Sequence, residues 1–173
     1  MRIDAGLDTG DILLQETIPI SPDDTAETLA PKLAIMGANL IVTTLRGLQA
    51  GTIIPHHQDH AQATLAPILR KEDGLVDFSR PAPEILNRMR GFQPWPGAYT
   101  KFRGKNLQLW KASALDQALS PSELKVEGDH LLVGCGQRTT LELLELQLEG
   151  KKRSSVSDFL RGYRPQGGEK LGT

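Results

Sequence analysis

Thr140-Leu141-Glu142-Leu143-Leu144-Glu145-Leu146-Gln147-Leu148-Glu149 is the stretch whose reading decides the fold. Leu144, Leu146 and Leu148 recur at every second position, the period of a strand with one face on a core and the other in water. Shorter segments of the same kind precede it at His130–Cys135, Leu124–Glu127, Asn106–Ala112 and Ala98–Phe102, the last two flanking a turn at Arg103-Gly104-Lys105. Strands this short and this closely spaced predict a small β-barrel, closed or partly open. Pro94-Trp95-Pro96-Gly97 forms a rigid turn into the first strand. Before it, Pro83–Arg90 reads as a short helix with proline in its first turn and Gly91 as its stop. After the last strand, Val156–Arg161 reads as a terminal helix capped by Ser155 or Ser157, and Gly167-Gly168 as a loose end.

The first part of the chain has a different pattern. A glycine-rich turn, Gly6–Asp11, leads into Ile12-Leu13-Leu14, and the alternation through Ile20 suggests a strand, though no earlier segment offers it a partner. Asp24 and Glu27 have the spacing of a helix N-terminus. Leu29, Leu33, Met36, Leu40 and Leu48, with Thr44 in the gap, form one stripe on a helix from Thr25 to Ala50, ended by Gly51 and kinked near Pro31. Residues 52–80 lack periodicity and read as a linker. The expected organisation is therefore an α/β remnant over 1–51, a linker over 52–80 and a mostly β domain over 81–173.

Composition sets the outer limits. The 173 residues are 39% hydrophobic and 24% charged, with a formal net charge of -1, which excludes a uniformly basic nucleic-acid binder. The charge is unevenly spread. Met1–Ala50 holds three Lys/Arg against seven Asp/Glu, 3 − 7 = −4, and Lys151–Thr173 holds six against two, 6 − 2 = +4. The basic end suits either an anionic partner or a solvated tail. The single cysteine, Cys135, cannot form an internal disulfide and is expected to be a small buried residue in a reducing, cytoplasmic setting. No apolar run looks long enough to cross a bilayer, and Met1–Gly6 has no signal core, so no membrane is expected. His56, His57 and His60 lie in a polar stretch without cysteine, and no metal site is expected there.

Several blocks together resemble the methionyl-tRNA formyltransferase family. Asp4-Ala5-Gly6-Leu7-Asp8-Thr9-Gly10-Asp11-Ile12-Leu13 is similar to the segment that closes the folate site of its catalytic domain. Arg90–Thr100, containing Pro94-Trp95-Pro96-Gly97, is similar to the junction entering its C-terminal domain, and Leu146–Arg153 to the lysine-rich close of that domain. Gly37-Ala38 and Lys71–Gly74 fit as well, and the blocks follow the family's order over essentially the whole chain. The resemblance implies the end of a Rossmann-like formyltransferase domain followed by an oligonucleotide-fold-like (OB-like) barrel that helps hold tRNA. It also implies formyl transfer from 10-formyltetrahydrofolate to the methionyl amino group of initiator tRNA, without a metal, by an enzyme that usually acts as a monomer.

By that resemblance Asp8 is the aspartate of a catalytic Asn, His and Asp trio, although local sequence alone makes it a turn residue. Asp4, Ala5 and Leu7 would line the pterin loop of the folate site. The Asn-x-His-x-Ser segment that carries the other two catalytic residues is absent from this sequence. Formyl transfer to an amine needs donors for an oxyanion and a group to move the amine proton, so the chain alone is expected to be inactive. The candidate tRNA contacts are Arg70, Lys71, Arg88, Arg90, Lys101, Arg103, Lys105, Lys151, Lys152 and Arg153. Any one of them taken singly reads equally as solvated surface, and Arg90 as a structural neighbour of Trp95. Trp95 and Trp110 are expected in the barrel core, with stacking on bases as the alternative. A non-catalytic RNA-binding module and a related amino-sugar formyltransferase are the competing functions.

Overall fold

The computed structural model describes Met1–Gly172 and divides the chain into two units, 1–68 and 69–173. In the first, α1 runs over Ala26–Gln49. Its cap is Thr25, not the expected Asp24: Thr25 and Thr28 exchange side-chain to backbone bonds in a capping box. Asp24 is instead buried, accepting bonds from Lys32 Nζ at 2.5 Å and Ser21 N at 2.8 Å, which hold its carboxyl below the usual range. The helix continues through Pro31, which withholds a donor from the carbonyl one turn back. It ends where Gly51, at φ +67, donates to Leu48 O and Thr52 donates to Gly47 O, a termination that a left-handed residue makes possible.

Two expectations for this unit are corrected. Residues 12–20 do not form a strand: only Ile12 pairs, in an isolated bridge with His56, because a strand needs a ladder of partners and this segment has one. The helix α1 is also long and apolar enough to cross a membrane by length and composition. It still carries Glu27, Lys32 and Arg46, and a helix that covers a sheet shows the same apolar content.

The second unit is built on one antiparallel sheet. A 3-10 turn at Lys71–Gly74 precedes α2 (Ala82–Gly91) and the strands β1 (Ala98–Phe102), β2 (Lys105–Leu115), β3 (Leu124–Glu127), β4 (His130–Gly134), β5 (Thr140–Leu148) and β6 (Ser154–Ser155), and α3 (Val156–Tyr163) follows. The order is β1-β2-β5-β4-β3, with β6 on β5. One face is apolar: Ala98, Phe102, Leu107, Leu109, Leu131 and Val133 are buried with Ile85 and Met89 of α2 and Phe159 of α3.

The strand that decided the fold changes phase along its length. Leu141 and Leu143 are buried, then Leu146 and Leu148, while Leu144 is only half-buried. The pairing explains it, since Leu109 faces Leu146, Lys111 faces Glu145 and Ala112 faces Leu143. Trp110 and Leu144 are each left without a partner, so β2 and β5 carry compensating bulges that turn both strands over together.

The sheet is not closed, since β1 and β3 do not pair. The C-terminal segment lies across that seam. Leu124 N donates to Glu169 O, Gly168 N to Leu124 O and Leu171 N to Ser122 O, and beyond them Gly172 N donates to Lys101 O on β1. Leu171 is 3% exposed. The end expected to be loose at Gly167-Gly168 is thus tied down by backbone bonds to both edge strands.

Arg103, in the β1–β2 turn, anchors this tail. Its guanidinium donates to both Glu169 oxygens, at 3.0 and 2.7 Å, and to the carbonyls of Tyr163 and Arg164. The Arg103 hydrogen bonds hold the Glu169 carboxyl below the usual range. Because Glu169 is depressed in the folded state, its contribution is present above the unfolded value of about 4.3 and is lost as pH falls through the lower folded value. Arg103→Met should therefore lower Tm at pH 7, with the difference from the parent shrinking as the solution is acidified below about pH 4. Thermal melts across that range check it, and a deficit independent of pH would assign Arg103 to packing alone.

Candidate functional site

The 4–12 segment is a loop closed on itself. Asp4 Oδ1 accepts from Gly6 N at 3.1 Å and Thr9 Oγ1 at 2.7 Å, a side-chain turn typical of Asp. Ala5 is exposed and Leu7 is 96% exposed, so neither side chain is used in folding the loop. Asp8 takes the left-handed conformation, φ 55, that reverses the chain. Gly10 is buried under Arg2, whose N–H donates to Asp11 O, and a Cβ at Gly10 would lie 2.0 Å from the Arg2 carbonyl oxygen. Glycine is required here by close approach, not by dihedral angle.

The loop is held in place by a segment with no periodicity in the sequence. Ile12 and His56 exchange backbone bonds of 2.8 Å in both directions. The Gln58 amide donates to Asp8 O at 2.9 Å and Gly10 O at 2.6 Å, and His57 Nδ1 lies 3.2 Å from Asp11 Oδ1. Gln58 is the loop-holding residue that the sequence does not announce. A glutamine has two N–H donors and can bind two carbonyls turned the same way, but nothing near position 58 announces loop carbonyls 48 and 50 residues away.

The result is selective. Asp4 and Asp11 are engaged, whereas the exposed Asp8 carboxylate makes no hydrogen bond or ion pair among the described residues. Its backbone is fixed while its side chain stays available. Such a carboxylate can orient an imidazole or water and accept a proton, but it cannot donate to an oxyanion. Among the described residues no group of three or more His, Cys, Asp or Glu could hold a metal ion.

The ten candidate basic residues separate by what they already bind. Arg88 donates to Asp73 O and lies 4.8 Å over the Phe92 ring, and Arg90 donates to Asn87 Oδ1. Arg103 holds the tail. Arg153 bonds Glu145 and lies 4.8 Å over the Trp110 ring. By contrast, the side chains of Arg70, Lys71, Lys101, Lys105, Lys151 and Lys152 are exposed and form no ion pair among the described residues. Four of these six share one end of the sheet. Lys101 and Lys105 flank the β1–β2 turn, and Asn106 exchanges bonds with Glu149, which brings the Lys151-Lys152 turn beside it. Arg70 and Lys71 stand at the other end of β1, where Gly74 approaches Gly97 and Leu75 bridges to Tyr99.

The aromatic residues correct the sequence reading in part. Trp110 is half-buried, its indole N–H donating to Gln147 Oε1 at 3.0 Å. Trp95 is 56% exposed and is not a core residue, because it lies in a turn ahead of β1 and not in the strand itself. Cys135 is buried, and burial pushes its thiol up to about 11, which leaves it unreactive at neutral pH.

Residues 68–164 match the formyl transferase C-terminal domain family, and residues 1–45 match the formyl transferase family. The chain belongs to the formyl transferase family. Within it, this formyl transferase chain is 60% identical over 172 residues to the methionyl-tRNA formyltransferase of Koribacter versatilis, covering 99% of this chain and 55% of that protein. It is 58% identical over 165 residues to the methionyl-tRNA formyltransferase of Acidobacterium capsulatum, covering 94% and 53%. It spans about half the length of the curated relatives it matches. Its fold is also similar to an N-formyltransferase from Helicobacter canadensis solved with folinic acid and dTDP-3-aminofucose, at a TM-score of 0.62 and 17% identity over 82% of this chain and 52% of that one.

Proposed function

We propose that this formyl transferase chain is the carboxyl-terminal portion of a methionyl-tRNA formyltransferase, which moves the formyl group of 10-formyltetrahydrofolate to the methionyl amine of initiator tRNA. The observation that carries the reading is 60% identity running over 99% of the chain, both units included. In this reading residues 1–51 belong to the catalytic domain, with Asp8 as its catalytic aspartate and Asp4, Ala5 and Leu7 along the pterin loop. Residues 52–80 connect the two domains, their His56–Gln58 stretch bracing the Asp8 loop. Residues 81–173 form a partly open OB-like barrel that binds tRNA.

The six uncommitted cations supply phosphate contacts, and the four already paired with protein groups hold the scaffold that carries them. The lone buried thiol suits a cytosolic enzyme. A folate donor and an Asp8 carboxylate do not complete the chemistry, because the oxyanion needs a donor and Asp8 a partner, and this sequence has no Asn-x-His-x-Ser segment to supply them.

Mixing the purified chain with initiator methionyl-tRNA and 10-formyltetrahydrofolate should therefore give tRNA binding without formyl transfer. Binding should weaken steeply as salt rises. Turnover above the uncatalysed rate would overturn the assignment of Asp8 as one member of an incomplete set. A flat salt dependence would overturn the phosphate contacts. Binding of tRNA with no measurable folate binding would favour the module as a purely RNA-binding unit.

A further inference from the structure

Trp95 stands 56% exposed, yet its turn is well held. Gly97 N donates to Phe92 O at 2.9 Å across the turn, and Gln93 Nε2 donates to Trp110 O at 2.9 Å. A large aromatic ring in water on a fixed support loses little freedom on meeting a partner. Its surroundings indicate what that partner is. The inward side chains of β1 are Ala98, Thr100 and Phe102, all buried, so Tyr99 and Lys101 alternate on the outward side. Beyond the turn that carries Trp95, Tyr99 and Lys101 follow on that outward side, and Lys105, Lys151 and Lys152 lie around the far end of the strand. Arg70 and Lys71 flank the near end. Two rings followed by unpaired cations form a surface suited to a polyanion that also carries flat π-faces. An acidic peptide would satisfy the cations but has no use for the rings.

Resting on the proposed RNA-binding role of this unit, we infer that Trp95 is a base-stacking platform. It takes an unpaired nucleobase of the RNA while Lys101, Lys105, Lys151 and Lys152 hold the phosphates further along β1. Trp110 does not share this role: its ring is covered on one side by Arg153 and its N–H is used by Gln147.

The chain has two tryptophans, so Trp110→Phe leaves Trp95 as the sole indole reporter. That variant is titrated with a single-stranded RNA of roughly twelve nucleotides, within the span such surfaces cover, and with an RNA duplex of matched charge. The single strand should quench Trp95 emission and the duplex should not. In the otherwise unaltered chain, Trp95→Ala should weaken single-strand binding roughly five- to hundredfold, and Trp95→Phe should retain most of it. Trp95→Ala should leave the salt dependence unchanged, because no phosphate contact is removed. If the RNA binds with normal salt dependence but neither the emission nor the Trp95→Ala affinity moves, this inference fails and the proposed function stands. If no RNA binds at any salt, both fail. If the emission shifts with protein concentration alone, a second copy of the chain covers Trp95 and the inference is overturned.

Discussion

Phe159→Ala is expected to destabilise the 69–173 unit by about 3–5 kcal/mol, the range for deleting a buried ring. Phe159 is 2% exposed, with its ring 5.3 Å from Phe102 of β1 and 4.8 Å from Tyr163. It is the one fully buried residue of α3, which has only eight residues and is too short to persist unless docked. The Ser155 cap, accepting from Asp158 N, sets where the helix starts but cannot hold it on the sheet. Losing the ring therefore removes packing and releases the helix and the tail that follows it. Phe159→Leu keeps most of the volume and should cost far less, below about 1.5 kcal/mol. Urea unfolding followed by circular dichroism distinguishes the cases. A loss under about 1 kcal/mol for the alanine variant would mean that α3 sits on the sheet without contributing to its core.

Replacing Lys151 and Lys152 together by glutamate should weaken tRNA binding roughly 10- to 100-fold at moderate salt. It should also reduce the slope of log affinity against log salt by about two, close to one for each phosphate no longer neutralised. Neither side chain has an ion-pair partner to lose, so the fold should be untouched and the melting curve should overlay that of the parent. Arg153→Glu is the informative contrast. It breaks an ion pair with Glu145 and uncovers Trp110, so it should lower stability as well as binding. If the double glutamate variant binds tRNA as the parent does, the anionic surface of the RNA lies elsewhere on this unit.

The strands and helices are readable from the sequence because their periods are local properties. The helix α1 follows its stripe, and β1 to β5 lie within a few residues of their expected places, whereas the two-residue β6 is too short to show a period. Sequence and structure part where the determinant is distant along the chain. Leu144 keeps the period of Leu146 and Leu148, yet the paired bulges in β2 and β5 turn the strand between Leu143 and Leu146, and no single strand encodes its partner's slip. Asp24 and Glu27 match a capping rule that two threonines next to them satisfy first. Residues 52–68 read as linker because side-chain to backbone bonds spanning some fifty positions leave no periodic trace. The same blindness affects the basic residues. Charge is visible in all ten, but which of them are used internally depends on Glu169, Glu145, Asn87 and Asp73, reached only through the fold.

The tail across the seam bears on self-association. An open sheet leaves two rows of backbone donors and acceptors, and such rows can recruit strands from another molecule. Here Val76 N donates to Tyr99 O along β1, and Gly168–Leu171 occupies the start of β3. The last residues of the chain thus shield edges that would otherwise be templates for aggregation, and Arg103 is the fastening that keeps the shield in place.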